Sequence, residues 1–221
     1  MATPDESVDD IFLPGGRLRM DFLTDSAAAA LRESLRLARE TRWDTVRSPH
    51  VFMGLLAVPD ASVRNWGERL QADLTKLLGQ FQELFHQEEG EEEAVLVLNR
   101  EFLSDNVIRL LRDAHGRAGD CGRNSVTPMD LLITLFTTPN SIVAECFERI
   151  GVTAAKLTEL AVIAEHRGHD NDRGQITPMD LLISLLTATN SIVAECFERI
   201  GVTAAKLTEL AVLAEQQSGQ R

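Results

Sequence analysis

The chain has little of what marks a secreted or a membrane protein. Its 221 residues include three cysteines, none at the spacing of a metal site, and this low count favours a reducing compartment. No apolar run approaches the ~20 residues that a membrane crossing needs. The acidic start, MATPDESVDDIF, also lacks the basic and apolar regions of a signal peptide. We therefore expect a cytoplasmic protein with no membrane partner.

Basic and aromatic residues are also scarce. Lys and Arg number 22 against 34 Asp and Glu, so the net charge is -12, and no basic run stands out. Such a chain repels phosphate backbones, which excludes nucleic acid as the expected partner and leaves proteins with basic segments. Tyrosine is absent, and the abundance of Leu, Ala and Glu favours helices over sheet. The composition predicts an all-α protein.

Signatures of catalysis are missing from the sequence. It contains no G-x-x-x-x-G-K-[ST] phosphate loop, no G-x-S-x-G turn and no Cys/His pair of nucleophile and base. The segment from His166 to Asp172 has metal-ligand residue types, but it reads as a solvated polar loop with no cysteine at ligand spacing. We expect no enzyme activity, no catalytic or metal site and no cofactor.

What the chain does have is a near-copy of one of its own segments. Residues 127–165 and 177–215 align without a gap at an offset of 50 residues, and five of the 39 positions differ. A repeat of this length is typical of stacked helical units, each too small to bury its own apolar face.

Apolar periodicity and helix caps predict eight helices before the second copy. Gly151 is predicted to end the seventh in the left-handed conformation. The helices lie at about 24–42, 48–58, 62–70, 73–85, 104–117, 127–138, 140–150 and 153–165. The first four match the second four weakly at an offset of 80, as Pro59 matches Pro139 and Lys76 matches Lys156.

This pattern predicts a domain organisation. It consists of a flexible leader (1–19), repeat 1 (20–86), an acidic linker and crossover (87–103), repeat 2 (104–167), a partial repeat 3 (168–216) and a tail (217–221). Repeat 3 has no first helix of its own, so we expect the last helix of repeat 2 to serve both units. An alternative is a swapped arrangement, in which the extra helices fold on a second chain.

Three motifs in register resemble the Clp N-terminal domain, the double helical repeat at the front of Clp/Hsp100 unfoldases. They are FLTD at 22–25, SPHVFMGLL at 48–56 and VTPMDLLITLF at 126–136, which recurs at 176–186. The resemblance implies an all-α module that docks onto substrates, adaptors or Clp subunits, and that in some members binds phosphorylated arginine. The ATPase motor of those proteins has no counterpart in this sequence.

The family's motif contains an acidic residue followed by a histidine (the E-H pair), and the chain departs from the family there. Pro49, Met129 and Met179 stand in the place of the acidic residue, so no phosphoarginine site is carried over. His50 keeps the histidine, whereas Asp130 and Asp180 replace it as acids that cap helices.

The candidate protein-binding residues are few. Trp43 is not explained by the repeat and could line a peptide groove, and His50 holds the family position. The methionines and acids at the helix starts complete the set: Met129, Asp130, Met179 and Asp180. The leading hypothesis is a non-catalytic adaptor, decoy or regulator of a Clp protease machine. The alternatives are a self-associating structural protein, including a homodimer through repeat 3, or a protein that sequesters a peptide or small molecule aimed at Clp.

Overall fold

The described part of the chain is a bundle of eight α-helices. A computed structural model describes residues 11–88 and 96–168. The helices are α1 (Asp25–Glu40), α2 (Ser48–Ala57), α3 (Ala61–Leu70), α4 (Leu74–Leu84), α5 (Asp105–Asp120), α6 (Pro128–Thr137), α7 (Ile142–Glu148) and α8 (Ala154–Gly168). A 3-10 turn, Arg100–Phe102, precedes α5. The only β pairing in these ranges is a set of isolated bridges, which confirms the all-α prediction.

Helix starts follow the caps seen in the sequence. The Thr24 hydroxyl accepts a hydrogen bond from the Ala27 amide at 3.3 Å, and Asp73 caps α4 in the same way. Thr127 and Asp130 form a reciprocal capping box with Pro128 at the first helical position. Gly151, with φ of 84°, supplies the left-handed turn between α7 and α8. Local side-chain chemistry thus sets the starts of α1, α3, α4, α6 and α7.

The two repeats share one architecture. The starts of α1, α2 and α4 lie 80 residues before those of α5, α6 and α8, which confirms the weaker internal match. The segment before a helix of one repeat pairs with a segment of the other repeat. Leu23 forms a parallel bridge with Val126, and Val46 forms one with Leu103. The two bridges join equivalent positions of the repeats, so the repeats form one domain around a shared core.

Aromatic rings fill the centre between the repeats. Trp66 and Phe52 are fully buried. The Trp66 ring stacks on Phe136 with 5.6 Å between centroids, and Phe52 lies edge-on to Phe147 at 5.8 Å. Since each contact joins a residue of repeat 1 to a residue of repeat 2, neither repeat buries its apolar face alone.

The predicted flexible leader is wrong for residues 11–19. Ile11, Phe12 and Leu18 are buried in the core, and a turn at 13–16 folds this segment back on itself. The Leu18 amide donates to the Leu98 carbonyl at 2.9 Å, which pairs the segment with the crossover before α5. Pro14, Gly15 and Gly16 therefore mark a tight turn between two packed extended segments rather than a flexible terminus.

Close packing of α1 on α2 depends on a glycine. A Cβ atom at Gly54 would lie less than 3.0 Å from the Ala30 carbonyl oxygen and the Ser34 hydroxyl, whereas one at Gly79 in α4 would meet nothing within 4 Å. We expect Gly54→Ala to lower the free energy of unfolding by about 1–3 kcal/mol through overpacking. Gly79→Ala should instead raise it by about 0.5–1 kcal/mol, because alanine favours helix. Urea unfolding of both variants checks this, and equal effects at the two sites would contradict it.

Repeat 3 and the tail, residues 168–221, lie outside the described residues apart from Gly168, as do residues 1–10 and the acidic run 89–95. The chain divides into two units after Gly168, and the shared-helix prediction concerns that junction. Among the helices of residues 11–88 and 96–168, none has both the length and the apolar character that a membrane crossing demands.

Candidate functional site

A cleft opens where the two repeats meet. Its volume is about 330 Å³, at the lower end of the range for ligand pockets. Its walls come from the start of α2 with the loop before it, the ends of α4 and α6, and the starts of α5 and α7. The lining residues are Trp43, Arg47, Ser48, Pro49, His50, Phe85, Ser104, Asn106, Leu110, Leu135, Thr138, Pro139, Asn140, Ser141, Ile142 and Glu145.

Trp43 forms a rigid, half-buried part of the repeat 1 wall. Its indole Nε1 donates to the Phe85 carbonyl at 2.7 Å, which fixes the ring between α1 and the end of α4. The exposed guanidinium of Arg47 lies over the ring at 4.1 Å from its centroid. This wall therefore presents an aromatic surface with a cation beside it.

The repeat 2 wall mixes apolar and polar groups. Ile142, at the start of α7, is 45% exposed, and Glu145 follows it one turn later. Ser104 precedes α5, but its buried Oγ makes no hydrogen bond within the described residues. The cleft thus offers an exposed cation, Arg47, and an exposed anion, Glu145, beside the apolar side chains of Trp43 and Ile142.

His50 lies behind the cleft wall and is only 1% exposed. Its Nδ1 accepts from the Arg47 amide at 2.9 Å, and its Nε2 lies 3.2 Å from the Thr41 hydroxyl. An Nε2–H donor satisfies both contacts, so the ring is the neutral tautomer. Burial, helped by the charge of Arg47, lowers the pKa of His50 to about 4. The histidine is thus a buried hydrogen-bonding residue that joins the start of α2 to the end of α1.

The depressed pKa of His50 predicts a pH-dependent stability. Because the folded pKa is about 4 and the unfolded value is 6.5, the unfolded state takes up the proton first. Stability is then complete above pH ~6.5 and falls as the pH drops towards ~4, by about 3 kcal/mol for this group. Urea unfolding of wild type and His50→Gln at pH 7 and pH 4.5 isolates the effect. The wild-type advantage should shrink at pH 4.5, and an unchanged difference would count against the buried neutral ring.

A second polar cluster joins α5, α6 and α8. Arg117 binds Asp130 and lies 2.6 Å from Glu165, while Arg123 lies 2.8 Å from each of the two carboxylates. Asp130 is fully buried and Glu165 is 8% exposed. Burial opposes the charge on Arg117, but hydrogen bonds to Glu165 and Asp130 outweigh it and raise the pKa of the guanidinium. Two cations match two anions here, so the cluster is a neutral structural clamp.

The structure separates the candidate residues into two groups. It places Trp43 and His50 together at the cleft, although only Trp43 reaches the surface. Met129 (1% exposed) and Asp130 (0%) are buried away from the cleft, so they offer no surface to a protein partner. Met179 and Asp180 lie outside the described residues.

Sequence reasoning missed the rest of the cleft. Arg47 stands four residues after Trp43, and this spacing was the one signal that could have linked it to the tryptophan. Ser104, Ile142 and Glu145 lie at or near predicted helix starts, and nothing else in the sequence marked them as binding residues. In residues 11–88 and 96–168, no group of three or more His, Cys, Asp or Glu could hold a metal ion.

Comparison with solved structures shows which fold the described residues adopt. The N-terminal domain of the caseinolytic protease-associated chaperone ClpD from Arabidopsis thaliana superposes with a TM-score of 0.53 and 18% identity, over 67% of this chain and 97% of that one. The described residues have the Clp N-terminal fold. A structure from a study of a malarial protein secretion system aligns with a TM-score of 0.51 and 14% identity, over 68% and 97% of the two chains. No protein-family model and no curated protein matches the sequence.

Two helix starts carry residues at which the sequence departs from the motif that it resembles. Pro49, at the start of α2, lines the cleft together with Ser104. Asp130, at the start of α6, turns inward to the two arginines. The carboxylate at this helix start is therefore already neutralised by its own chain and is not presented to a ligand.

Proposed function

We propose that this protein binds proteins of the Clp protease and unfoldase system, in the cytoplasm and without catalysis, as an adaptor, decoy or regulator. The observation that carries the proposal is the Clp N-terminal fold with an open cleft between its repeats. Clp subunits, their adaptors and their client proteins are the partner class. The coarse link to the Clp system rests on the fold, and the role as adaptor or regulator is our proposal.

The size and chemistry of the cleft support a short segment of a partner as the ligand. A volume of about 330 Å³ accommodates a few side chains rather than a folded surface. The Trp43 ring and Ile142 supply apolar contact, and rigid aromatic residues of this kind often dominate protein–protein affinity. Glu145 and the overall charge of -12 favour a segment that carries a basic residue.

Quantitative affinity capture tests the proposal. Tagged wild type, Ile142→Arg and Leu84→Arg are incubated with lysate of the source cell, and the captured proteins are compared by mass spectrometry. Ile142 borders the cleft and is 45% exposed, whereas Leu84 is 58% exposed on α4 and outside the cleft, so the pair is matched. We expect Clp components or clients with wild type and Leu84→Arg, and a loss of at least about tenfold with Ile142→Arg. Identical capture by all three proteins would refute the cleft as the binding site.

A further inference from the structure

The outer side of α7 leaves a row of apolar side chains exposed. Ile142 is 45% exposed at the first residue of the helix, and Ile150, just after its end, is 71% exposed. Among the large hydrophobic residues of 11–88 and 96–168, Ile150 has the highest exposed fraction. Cys146 lies half-buried midway between the two isoleucines, and residues four apart on a helix share one side. These three residues form an apolar row that the described part of the chain leaves largely uncovered.

The thiol at the centre of the row adds to its apolar surface. Burial raises the pKa of Cys146, so the thiol stays neutral at neutral pH. A neutral, half-buried cysteine behaves as a small hydrophobic side chain. The row therefore carries no charge of its own.

Two opposite charges flank this row on one side. Glu145 and Arg149 are exposed one turn apart, and neither forms an ion pair within residues 11–88 and 96–168. Both act on the thiol between them, since Arg149 lowers and Glu145 raises the pKa of Cys146. We call the five residues the α7 face, and they are Ile142, Glu145, Cys146, Arg149 and Ile150. The α7 face thus combines an apolar row with one acid and one base.

The two charges select the kind of partner that fits the α7 face. A basic helix would attract Glu145 but repel Arg149, and an acidic helix would do the reverse. The complement is an apolar row flanked by one acid and one base in the opposite order. A second copy of α7 presents this order when the two helices run antiparallel about a two-fold axis.

The antiparallel arrangement also matches the apolar row to itself. Because the isoleucines lie four residues to either side of Cys146, Ile142 of each copy faces Ile150 of the other. The two Cys146 side chains then lie next to the two-fold axis. Glu145 of each copy approaches Arg149 of the other, so both charges find a partner.

We infer that the α7 face is a self-association surface, through which two copies of this protein form a symmetric antiparallel dimer. Five side chains from each copy make a small interface. The dimer is therefore weak, with a dissociation constant on the order of 10–100 µM.

Self-association controls access to the cleft. Ile142 and Glu145 belong both to the α7 face and to the lining of the cleft. A second copy on this face covers part of the cleft wall, so dimer formation competes with a cleft ligand. This consequence rests on the proposed function, whereas the dimer itself is measured without any ligand.

Sedimentation velocity of the full-length protein tests the surface. Wild type should shift from monomer towards dimer between roughly 10 and 200 µM. Ile150→Arg puts a charge into the apolar row at a residue outside the cleft, and it should raise the dissociation constant at least about tenfold. Two controls should dimerise like wild type. Leu84→Arg adds an arginine at an exposed leucine of α4, and Ile200→Arg changes the matching residue of the second sequence copy.

Reversal of the two charges tests the symmetry of the dimer. Glu145→Arg leaves only bases beside the row and Arg149→Glu leaves only acids, so each single variant should remain monomeric. The double variant carries the pair in reversed order and should regain the dimer. An equimolar mixture of the two single variants should form a mixed dimer.

Four results would overturn the inference. They are a wild type that stays monomeric over the whole concentration range, a dimer that survives Ile150→Arg, a dimer that Ile200→Arg abolishes, and a charge-reversed double variant that stays monomeric. All three changed side chains of the α7 face are exposed, so these variants should keep the circular dichroism spectrum and unfolding midpoint of wild type.

Discussion

Replacing Arg117 by alanine is expected to lower the free energy of unfolding by about 3–5 kcal/mol. The change leaves two nearly buried carboxylates, Asp130 and Glu165, with Arg123 as their one remaining cationic partner in the cluster. An uncompensated buried charge costs more than the ion pair contributes, so the loss exceeds that of any surface pair.

The control for Arg117→Ala is Lys156→Ala. Lys156 pairs with Glu159 at 3.1 Å, but both side chains are 53% exposed, and such a pair is worth about 0–1 kcal/mol. Urea unfolding at pH 7 measures both variants. Arg117→Lys should fall between them, because lysine restores the charge without the fork that spans two carboxylates. If Arg117→Ala costs no more than Lys156→Ala, the clamp is not the structural element described above.

Phe52→Ala is expected to have a loss of similar size, about 3–5 kcal/mol. Phe52 is fully buried, and four aromatic rings surround it with centroids between 4.8 and 6.2 Å away: Trp66, Phe81, Phe136 and Phe147. The cavity would open at the centre of the contact between the repeats. Because both repeats form its walls, the surrounding side chains cannot readily collapse into it.

Leu84→Ala is the matched control, since Leu84 lies on the same repeat but is 58% exposed. Its change should stay within about 0.5 kcal/mol. Thermal or urea unfolding followed by tryptophan fluorescence measures both variants. Equal losses at the two positions would contradict a core shared between the repeats.

Much of the fold was predictable because helix boundaries are local. The Thr127, Pro128 and Asp130 pattern sets the start of α6 through hydrogen bonds within four residues, and Gly151 supplies the left-handed turn after α7. The repeat then extended these local predictions from one half of the chain to the other. The all-α class follows from such signals, whereas the Clp N-terminal fold was implied by the resemblance of three motifs to that family.

The predictions that failed or were missed depend on contacts between distant residues. Residues 11–19 are ordered because Leu18 bonds to Leu98, 80 positions away, and no local pattern reveals that partner. Part of the polar cluster at Asp130 was missed for the same reason. Asp130 was identified as a capping acid, but Glu165, which completes its cluster with the two arginines, lies 35 residues further on.

The cleft was only partly visible in the sequence. Trp43 was singled out because the repeat did not explain it, and it does form one wall. The opposite wall consists of Ser104, Ile142 and Glu145, which looked like ordinary helix starts. Their role arises because the crossing of Val46 with Leu103 brings the start of α5 to the start of α2.

Site-specific photo-crosslinking in the source cell tests the central claim most directly. A photoreactive residue is placed at position 142, at the edge of the cleft, and in a second protein at position 84, exposed on α4. Adducts are identified by mass spectrometry. The account predicts adducts with Clp subunits, their adaptors or their clients from position 142 and none of these from position 84. Position 142 yielding no adduct with these proteins, or the same adducts as position 84, would contradict it.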